Sequence, residues 1–120
     1  MKGLNENERA SLIVDVTKAI GGWVEEVHGY FQKYTEDMFV VGMSRKGLTD
    51  TISKKFQVLD RVREIKSGNR ISPTISIGVA ADGRNLAELS QKAQAALDLA
   101  LGRGGDQAVV QLGDDMSFYG

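Results

Sequence analysis

The segment from Thr74 to Ala80 constrains the fold more than any other part of the chain. It is a nearly continuous apolar run, TISIGVA, with Pro73 before it and Asp82-Gly83 after it. A short run that does not alternate between apolar and polar residues is typical of a strand with both faces covered. We therefore expect a central strand, in a sheet that carries other elements on both of its faces.

The spacing of the other apolar residues predicts three helices and three further strands. The predicted helices are Asn5–Val27, Leu48–Ile65 and Asn85–Leu101, and the predicted strands are Tyr30–Tyr34, Met38–Met43 and Gln107–Leu112. Leu48, Ile52, Phe56, Leu59, Val62 and Ile65 are expected to face the core. Asn85 with Glu88 is a typical N-cap pair for the third helix. The element order predicts an α/β domain of the α+β kind.

This order is one strand short of a ferredoxin-like βαββαβ arrangement, in which an antiparallel sheet carries the helices and the first strand lies in its middle. Two interpretations are open. Leu12–Val14 could supply that strand, with Asp15 at its end, but the helical spacing continues straight through these residues. The interpretation that we favour is that the chain begins after the central strand, which is then missing from it.

Composition narrows the class of protein. The chain has 120 residues and a net charge of -1, so we expect one domain without the positive field that attracts nucleic acid or an anionic membrane. It contains no Cys and a single His, which argues against disulfides and thiolate metal sites. Its apolar runs are shorter than the roughly 20 residues of a membrane-spanning helix. We expect a cytoplasmic domain that is not itself inserted in a membrane.

Several motifs resemble those of GGDEF domains. Ser76–Ala80 (SIGVA) is similar to a strand of these domains and Ala93–Ala100 to the helix that follows it. Thr35–Phe39 (TEDMF), at the tip of the predicted hairpin, falls where they carry the GGDEF pentapeptide. The most specific motif is Ala96–Gln107 (ALDLALGRGGDQ), which resembles the degenerate GGDEF domain of GdpP-type cyclic-di-AMP phosphodiesterases.

This resemblance implies a fold and a domain arrangement. It implies one nucleotidyl-cyclase-like domain in residues 1–120, in which residues 3–112 match the family and residues 113–120 begin the link to a following domain. In the family, a membrane anchor and a PAS domain precede the GGDEF domain, and a DHH/DHHA1 phosphodiesterase follows it. The implied partners are therefore PAS and DHH/DHHA1 domains of the same full-length chain, and that chain is expected to be anchored in the cell membrane.

The resemblance also indicates which chemistry is lost. A diguanylate cyclase joins two GTP molecules with the help of metal ions, which carboxylates hold. Asp37 takes the place of the pentapeptide Asp, but Met38 occupies the position of the metal-binding Glu. A thioether is a poor magnesium ligand. Thr35 and Glu36 replace two glycines and crowd the approach to a phosphate, and Leu101 stands where a lysine is expected. We therefore expect no diguanylate cyclase activity.

The hairpin tip is the candidate site that the resemblance leaves. The resemblance implies that the nucleotide is ATP, bound together with Mg²⁺ or Mn²⁺ by Lys33, Thr35, Glu36 and Asp37. It also implies that ATP is hydrolysed weakly at most. Asp37 is the candidate catalytic and metal-binding residue, although hairpin tips also carry Asp for turn reasons alone. Glu36 is expected to be a solvated turn residue that repels phosphate. The alternative function is a non-catalytic signalling module between the PAS and DHH domains.

Three other features have structural interpretations that we favour. Trp23 lies on the apolar stripe of the first helix and is expected in the core. His28 follows that helix, where an interaction with the helix dipole is favoured over catalysis. Arg103–Asp106 (RGGD) resembles a phosphate-binding loop, but a helix end followed by a turn needs the same glycines.

Overall fold

A five-stranded sheet with helices on both faces is the frame of this domain. The computed structural model describes residues 6–65 and 73–120. The helices are α1 (Glu6–Glu26), α2 (Arg45–Ser53), α3 (Gln57–Arg63) and α4 (Leu86–Gly102). The strands are β1 (Tyr30–Thr35), β2 (Met38–Gly42), β3 (Ser76–Ala80), β4 (Gln107–Leu112) and β5 (Asp115–Tyr119). The predicted α+β class is confirmed.

The strands follow one another across the sheet in chain order. The outer pairs, β1–β2 and β4–β5, are antiparallel, whereas β2–β3 and β3–β4 are parallel. The predicted antiparallel sheet is therefore wrong at its centre, because each central connection contains helices and such a crossover joins parallel strands. β2 and β3 pair directly from Met38 opposite Ser76 to Gly42 opposite Ala80. The interpretation that this chain begins after the central strand of the ferredoxin-like arrangement stays a prediction.

One face of the sheet carries α1, α2 and α3. α1 is continuous through Leu12–Val14, so the alternative that made these residues a strand is wrong. Its buried stripe packs on alternate residues of the three central strands: Phe39, Val41, Ile77, Val79, Ala108 and Val110. Trp23 is buried there, as predicted, and its Nε1 donates a hydrogen bond to Oγ1 of Thr51 at 3.0 Å. That bond satisfies the one polar atom of the indole and joins α1 to α2.

α4 covers the opposite face at very close range. The side chains that it turns toward the sheet are small or apolar: Ala93, Ala96, Leu97 and Ala100. A methyl group built on Gly78 of β3 would overlap the carbonyl oxygen of Ala93 and the amide nitrogen of Leu97. The helix backbone therefore lies directly on the sheet, which is possible only where a strand carries glycine.

The two central crossovers have opposite handedness. β2 continues into β3 through α2 and α3 on one face, and β3 continues into β4 through α4 on the other face. Both crossovers step in the same direction across three parallel strands. Since moving a crossover to the other face reverses its hand, one of the two has the rare left-handed sense.

The predicted second helix is in fact two helices. The chain breaks between α2 and α3, where Lys55 and Phe56 adopt positive φ values of 56° and 49°. The break turns Phe56 into the core, where it is 1% exposed. Ile52, which was expected to face the core, is 38% exposed instead. Leu48, Leu59 and Val62 are buried, as predicted.

β5 is an element that the sequence did not predict, because Gln107–Leu112 was expected to be the last strand. It forms from residues 115–119, inside the segment expected to begin a link, and it pairs with β4 along its whole length. The stacking of Tyr119 on Phe56, with ring centroids 4.6 Å apart, adds to this pairing. β5 therefore depends on tertiary contacts that its own five residues do not reveal.

We expect Gly78→Ala to destabilise the domain by about 1–3 kcal/mol, because the added methyl group must push α4 away from the sheet. The measurement is the free energy of unfolding from urea denaturation followed by circular dichroism. Gly102→Ala is the matched control, since a methyl group there meets no atom within 4 Å. Equal stability of the two variants would contradict a direct contact between helix and sheet.

Candidate functional site

The hairpin tip is a tight turn that holds its own polar groups. The hydroxyl of Thr35 donates a hydrogen bond to Oδ1 of Asp37 at 2.8 Å, and the Asp37 amide donates to that hydroxyl at 3.5 Å. The carbonyl oxygen of Asp37 accepts a hydrogen bond from the amide of Ser76 at 2.8 Å. The tip is therefore fixed to the start of β3, and its carboxylate is positioned by the turn itself.

Glu36 is paired with a cation. Arg9, from the first turns of α1, donates from Nε and Nη2 to Oε2 of Glu36, at 2.9 and 2.8 Å. The Glu36 side chain is 21% exposed. The expectation of a solvated Glu36 is therefore wrong, because a residue distant in sequence supplies a partner. The negative charge that was expected to repel phosphate is largely neutralised.

Lys33 is also in contact with α1. Its Nζ donates a hydrogen bond to Oγ1 of Thr17 at 3.4 Å. The structure thus brings Thr35, Glu36 and Asp37 together at the tip and places the Lys33 ammonium group beside the helix. Arg9 is the residue of this region that the sequence analysis missed. It lies 27 positions before Glu36, and no local pattern connects the two residues.

The positions of the expected metal-binding Glu and phosphate-binding Lys hold apolar side chains here. Met38 begins β2 and packs beside the buried cluster of Val40, Ala80 and Leu97 beneath α4. Leu101 lies near the end of α4 and is 37% exposed. Asp37 is therefore the one carboxylate at the tip without a cation within ion-pair distance among the residues that the structure describes.

The donor set at the tip fits only a metal ion that arrives with a ligand. Among residues 6–65 and 73–120, no three acidic, His or Cys side chains come together. Magnesium is commonly held by one or two carboxylates together with phosphate oxygens and waters. Asp37 meets that requirement for a metal–nucleotide complex, whereas a metal ion bound by protein alone needs more ligands than the tip supplies.

A second charged group lies at the opposite ends of β2 and β3. Arg45 donates from Nη2 to Oδ2 of Asp82 at 2.9 Å, and this hydrogen bond lowers the pKa of the Asp82 carboxyl. Arg84 donates to Glu88 at 2.9 Å and lowers the pKa of that carboxyl. Lys92 donates to the carbonyl oxygen of Asp82 at 2.8 Å. The cluster, in which three cations surround two carboxylates, joins α2 to the start of α4.

The RGGD segment is a turn tied to α3. Gly104, Gly105 and Asp106 all have positive φ, at 103°, 76° and 52°. Arg63 donates from Nη2 to the Asp106 side chain and to its carbonyl oxygen, both at 3.3 Å. This geometry supports the structural interpretation of the segment, because its acidic and carbonyl groups face an arginine of the same domain.

The arrangement of a SIGVA strand, a close-packed helix and a hairpin tip is consistent with a GGDEF-like α+β domain. A family model described as "Cyclic-di-AMP phosphodiesterase GdpP-like, GGDEF domain" matches residues 1–118. The chain belongs to this family. The recognition that rested on the ALDLALGRGGDQ run is therefore confirmed.

Known relatives agree with this assignment. The chain is 36% identical over 120 residues to the cyclic-di-AMP phosphodiesterase GdpP of Bacillus subtilis and 37% identical to PdeA of Listeria monocytogenes. It is 33% identical to GdpP of Geobacillus thermodenitrificans. Each alignment covers 99% of this chain but 18% of the relative, so the chain spans about a fifth of their length. No solved structure matches it significantly.

Within the described residues, no helix has both the length and the apolar composition needed to cross a bilayer.

We expect a double-mutant cycle of Arg9→Gln and Glu36→Gln to give a coupling energy of about 0.3–1 kcal/mol, the range for a well-formed but partly exposed ion pair. The measurement is the free energy of unfolding of the four proteins at low salt. Arg61 and Glu26, whose closest atoms are 3.7 Å apart, form a looser control pair with smaller coupling. Zero coupling between Arg9 and Glu36 would contradict the described pair.

Proposed function

We propose that this domain is a degenerate, regulatory GGDEF domain of a cyclic-di-AMP phosphodiesterase, and that it makes no cyclic-di-GMP itself. It binds ATP weakly beside the hairpin tip, with Mg²⁺ or Mn²⁺, and hydrolyses it slowly at most. The phosphodiesterase activity belongs to the whole protein. It is inferred from the names of relatives of which this chain spans 18%.

The observation that carries the proposal is the charge arrangement at the tip. Arg9 neutralises Glu36, and Asp37 remains as a single carboxylate held in place by Thr35. A phosphate group near Asp37 therefore meets much less repulsion than the sequence suggests. Lys33 is held by one long hydrogen bond, so its ammonium group is available to offset phosphate charge.

The metal ion in this proposal comes with the nucleotide. Asp37 supplies one oxygen ligand, and the phosphates and waters supply the others. Two-metal synthesis of cyclic-di-GMP needs more carboxylates than this, and Met38 contributes none. One carboxylate with a metal–nucleotide complex accounts for slow ATP hydrolysis at most.

The alternative is a purely non-catalytic signalling module, and one observation favours it. Two side-chain contacts, Arg9–Glu36 and Lys33–Thr17, connect α1 to the hairpin. A displacement of α1 therefore moves the tip without any nucleotide. In this version the domain passes conformational changes between a PAS domain and a DHH/DHHA1 phosphodiesterase in a membrane-anchored chain.

We expect no cyclic-di-GMP from GTP with either Mg²⁺ or Mn²⁺, because Met38 replaces the expected metal-binding Glu. The measurement is liquid chromatography of the nucleotide products, with an active diguanylate cyclase as positive control. The preparation must be free of contaminating cyclase. If the amount of product then increases in proportion to the amount of this protein, the proposal that the domain is degenerate is contradicted.

We expect Asp37→Asn to abolish ATP hydrolysis while changing the free energy of unfolding by about 0.5 kcal/mol or less, since the change is isosteric and lies in a turn. The measurements are ATP turnover, circular dichroism, and amide chemical shifts during titration with ATP and magnesium. Asp114→Asn, in the exposed turn between β4 and β5, is the matched control.

The titration separates the two candidate functions. Saturable shifts confined to the hairpin, lost in Asp37→Asn and kept in Asp114→Asn, support nucleotide binding at this site. A wild-type domain without saturable shifts supports the non-catalytic module. Unchanged turnover in a folded Asp37→Asn protein would remove Asp37 from any catalytic or metal-binding role.

A further inference from the structure

The two edges of the sheet are protected to very different degrees. β1 has a register shift between Lys33 and Thr35, and a charged lysine lies within the strand. β5 pairs with β4 from Asp115 to Tyr119 without a register shift, and its sequence, DMSFY, contains neither Pro nor Lys. Bulges, prolines and charged side chains, lysine above all, are the usual means by which an edge strand avoids pairing with another chain. Of these, β5 has only the charge of Asp115, at its first position.

β5 also presents apolar side chains on one face. Phe118 lies opposite Val109 of β4 and is 43% exposed, with the Arg103 guanidinium carbon 4.1 Å from its ring centroid. Met116 is half-buried and packs against the cluster that contains Val109 and Ala100. Ser117, between these two residues, is exposed.

We propose that β5 pairs antiparallel with β5 of a second copy of this chain, about a two-fold axis at Ser117. This is the register that pairs every residue of the strand. It places Met116 of each copy opposite Phe118 of the other copy, a favourable contact between thioether and aromatic ring. It also places Asp115 opposite Tyr119 and Ser117 opposite Ser117. The sheets of both copies then form one continuous sheet.

The charges of β5 support a second copy as the occupant. The acidic residue of the strand, Asp115, lies at its start, so the two copies of Asp115 fall at opposite ends of the paired strands. At about 3.4 Å per residue their backbones are roughly 14 Å apart along the strands, beyond the Debye length of about 8 Å at physiological ionic strength. The register therefore brings no like charges together, and the strand is complementary to itself.

The expected dimer is weak. A five-residue strand pair buries less surface than the roughly 1,200–2,000 Å² of a stable interface, so the association belongs to the transient class. Self-association must therefore be measured over a wide range of concentrations, up to about 1 mM, the level at which binding worth about 4 kcal/mol is half complete.

The test uses opposite charges at the axis. Ser117→Lys and Ser117→Glu each place like charges directly across the two-fold axis, whereas an equal mixture of the two variants places opposite charges there. Because Ser117 is exposed, both variants are expected to fold, which circular dichroism checks. Sedimentation equilibrium gives the dissociation constants. Gln32→Lys, on the exposed edge strand β1, is the matched control for an added charge on an edge.

We expect a concentration-dependent dimer for the wild type and for Gln32→Lys. For each Ser117 variant alone we expect the dissociation constant to rise about fivefold or more, and we expect the mixture to recover wild-type association. A wild type that stays monomeric up to about 1 mM overturns the proposal and leaves the edge to another partner. A dimer that both Ser117 variants keep unchanged also overturns it, because the interface must then lie elsewhere.

Discussion

The contact between α4 and Gly78 is the constraint on which the rest of the structure depends. Because a glycine lets the helix backbone lie on the central strand, the helix face can be built from alanines such as Ala93 and Ala96. This contact covers the second face of β3, which explains why the strand is buried throughout. It also fixes which face the second crossover uses, and hence the opposite hands of the two crossovers. Met38 packs beneath the same helix.

At the hairpin, one helix serves both the core and the candidate site. The buried side of α1 packs on the sheet, while Arg9 and Thr17 hold Glu36 and Lys33 from its flank. The electrostatic state of the tip therefore depends on the position of α1, which the hydrophobic core fixes. Through these contacts with Arg9 and Thr17, the hairpin becomes a part of the framework that α1 and the sheet form.

Local signals were sufficient for much of the fold. The nearly continuous apolar run predicted β3. Asn85 predicted the start of α4, where its side chain accepts a hydrogen bond from the Glu88 amide at 2.9 Å. Features set by distant contacts were not predictable. The parallel centre of the sheet depends on the direct pairing of β3 with both β2 and β4. The Arg9–Glu36 pair joins residues 27 positions apart, and Phe56 adopts a left-handed conformation because the core accepts its ring.

The agreement between strand order and chain order has a consequence for biosynthesis. Each described strand after the first pairs with the strand made just before it. These five strands can therefore assemble by addition at one edge as the chain leaves the ribosome. The two outer hairpins have short loops to close, which favours rapid pairing, whereas the two central parallel pairs must wait for their helical crossovers. Among the described strands, β5 is the last to be made, and it lies at this edge of the sheet.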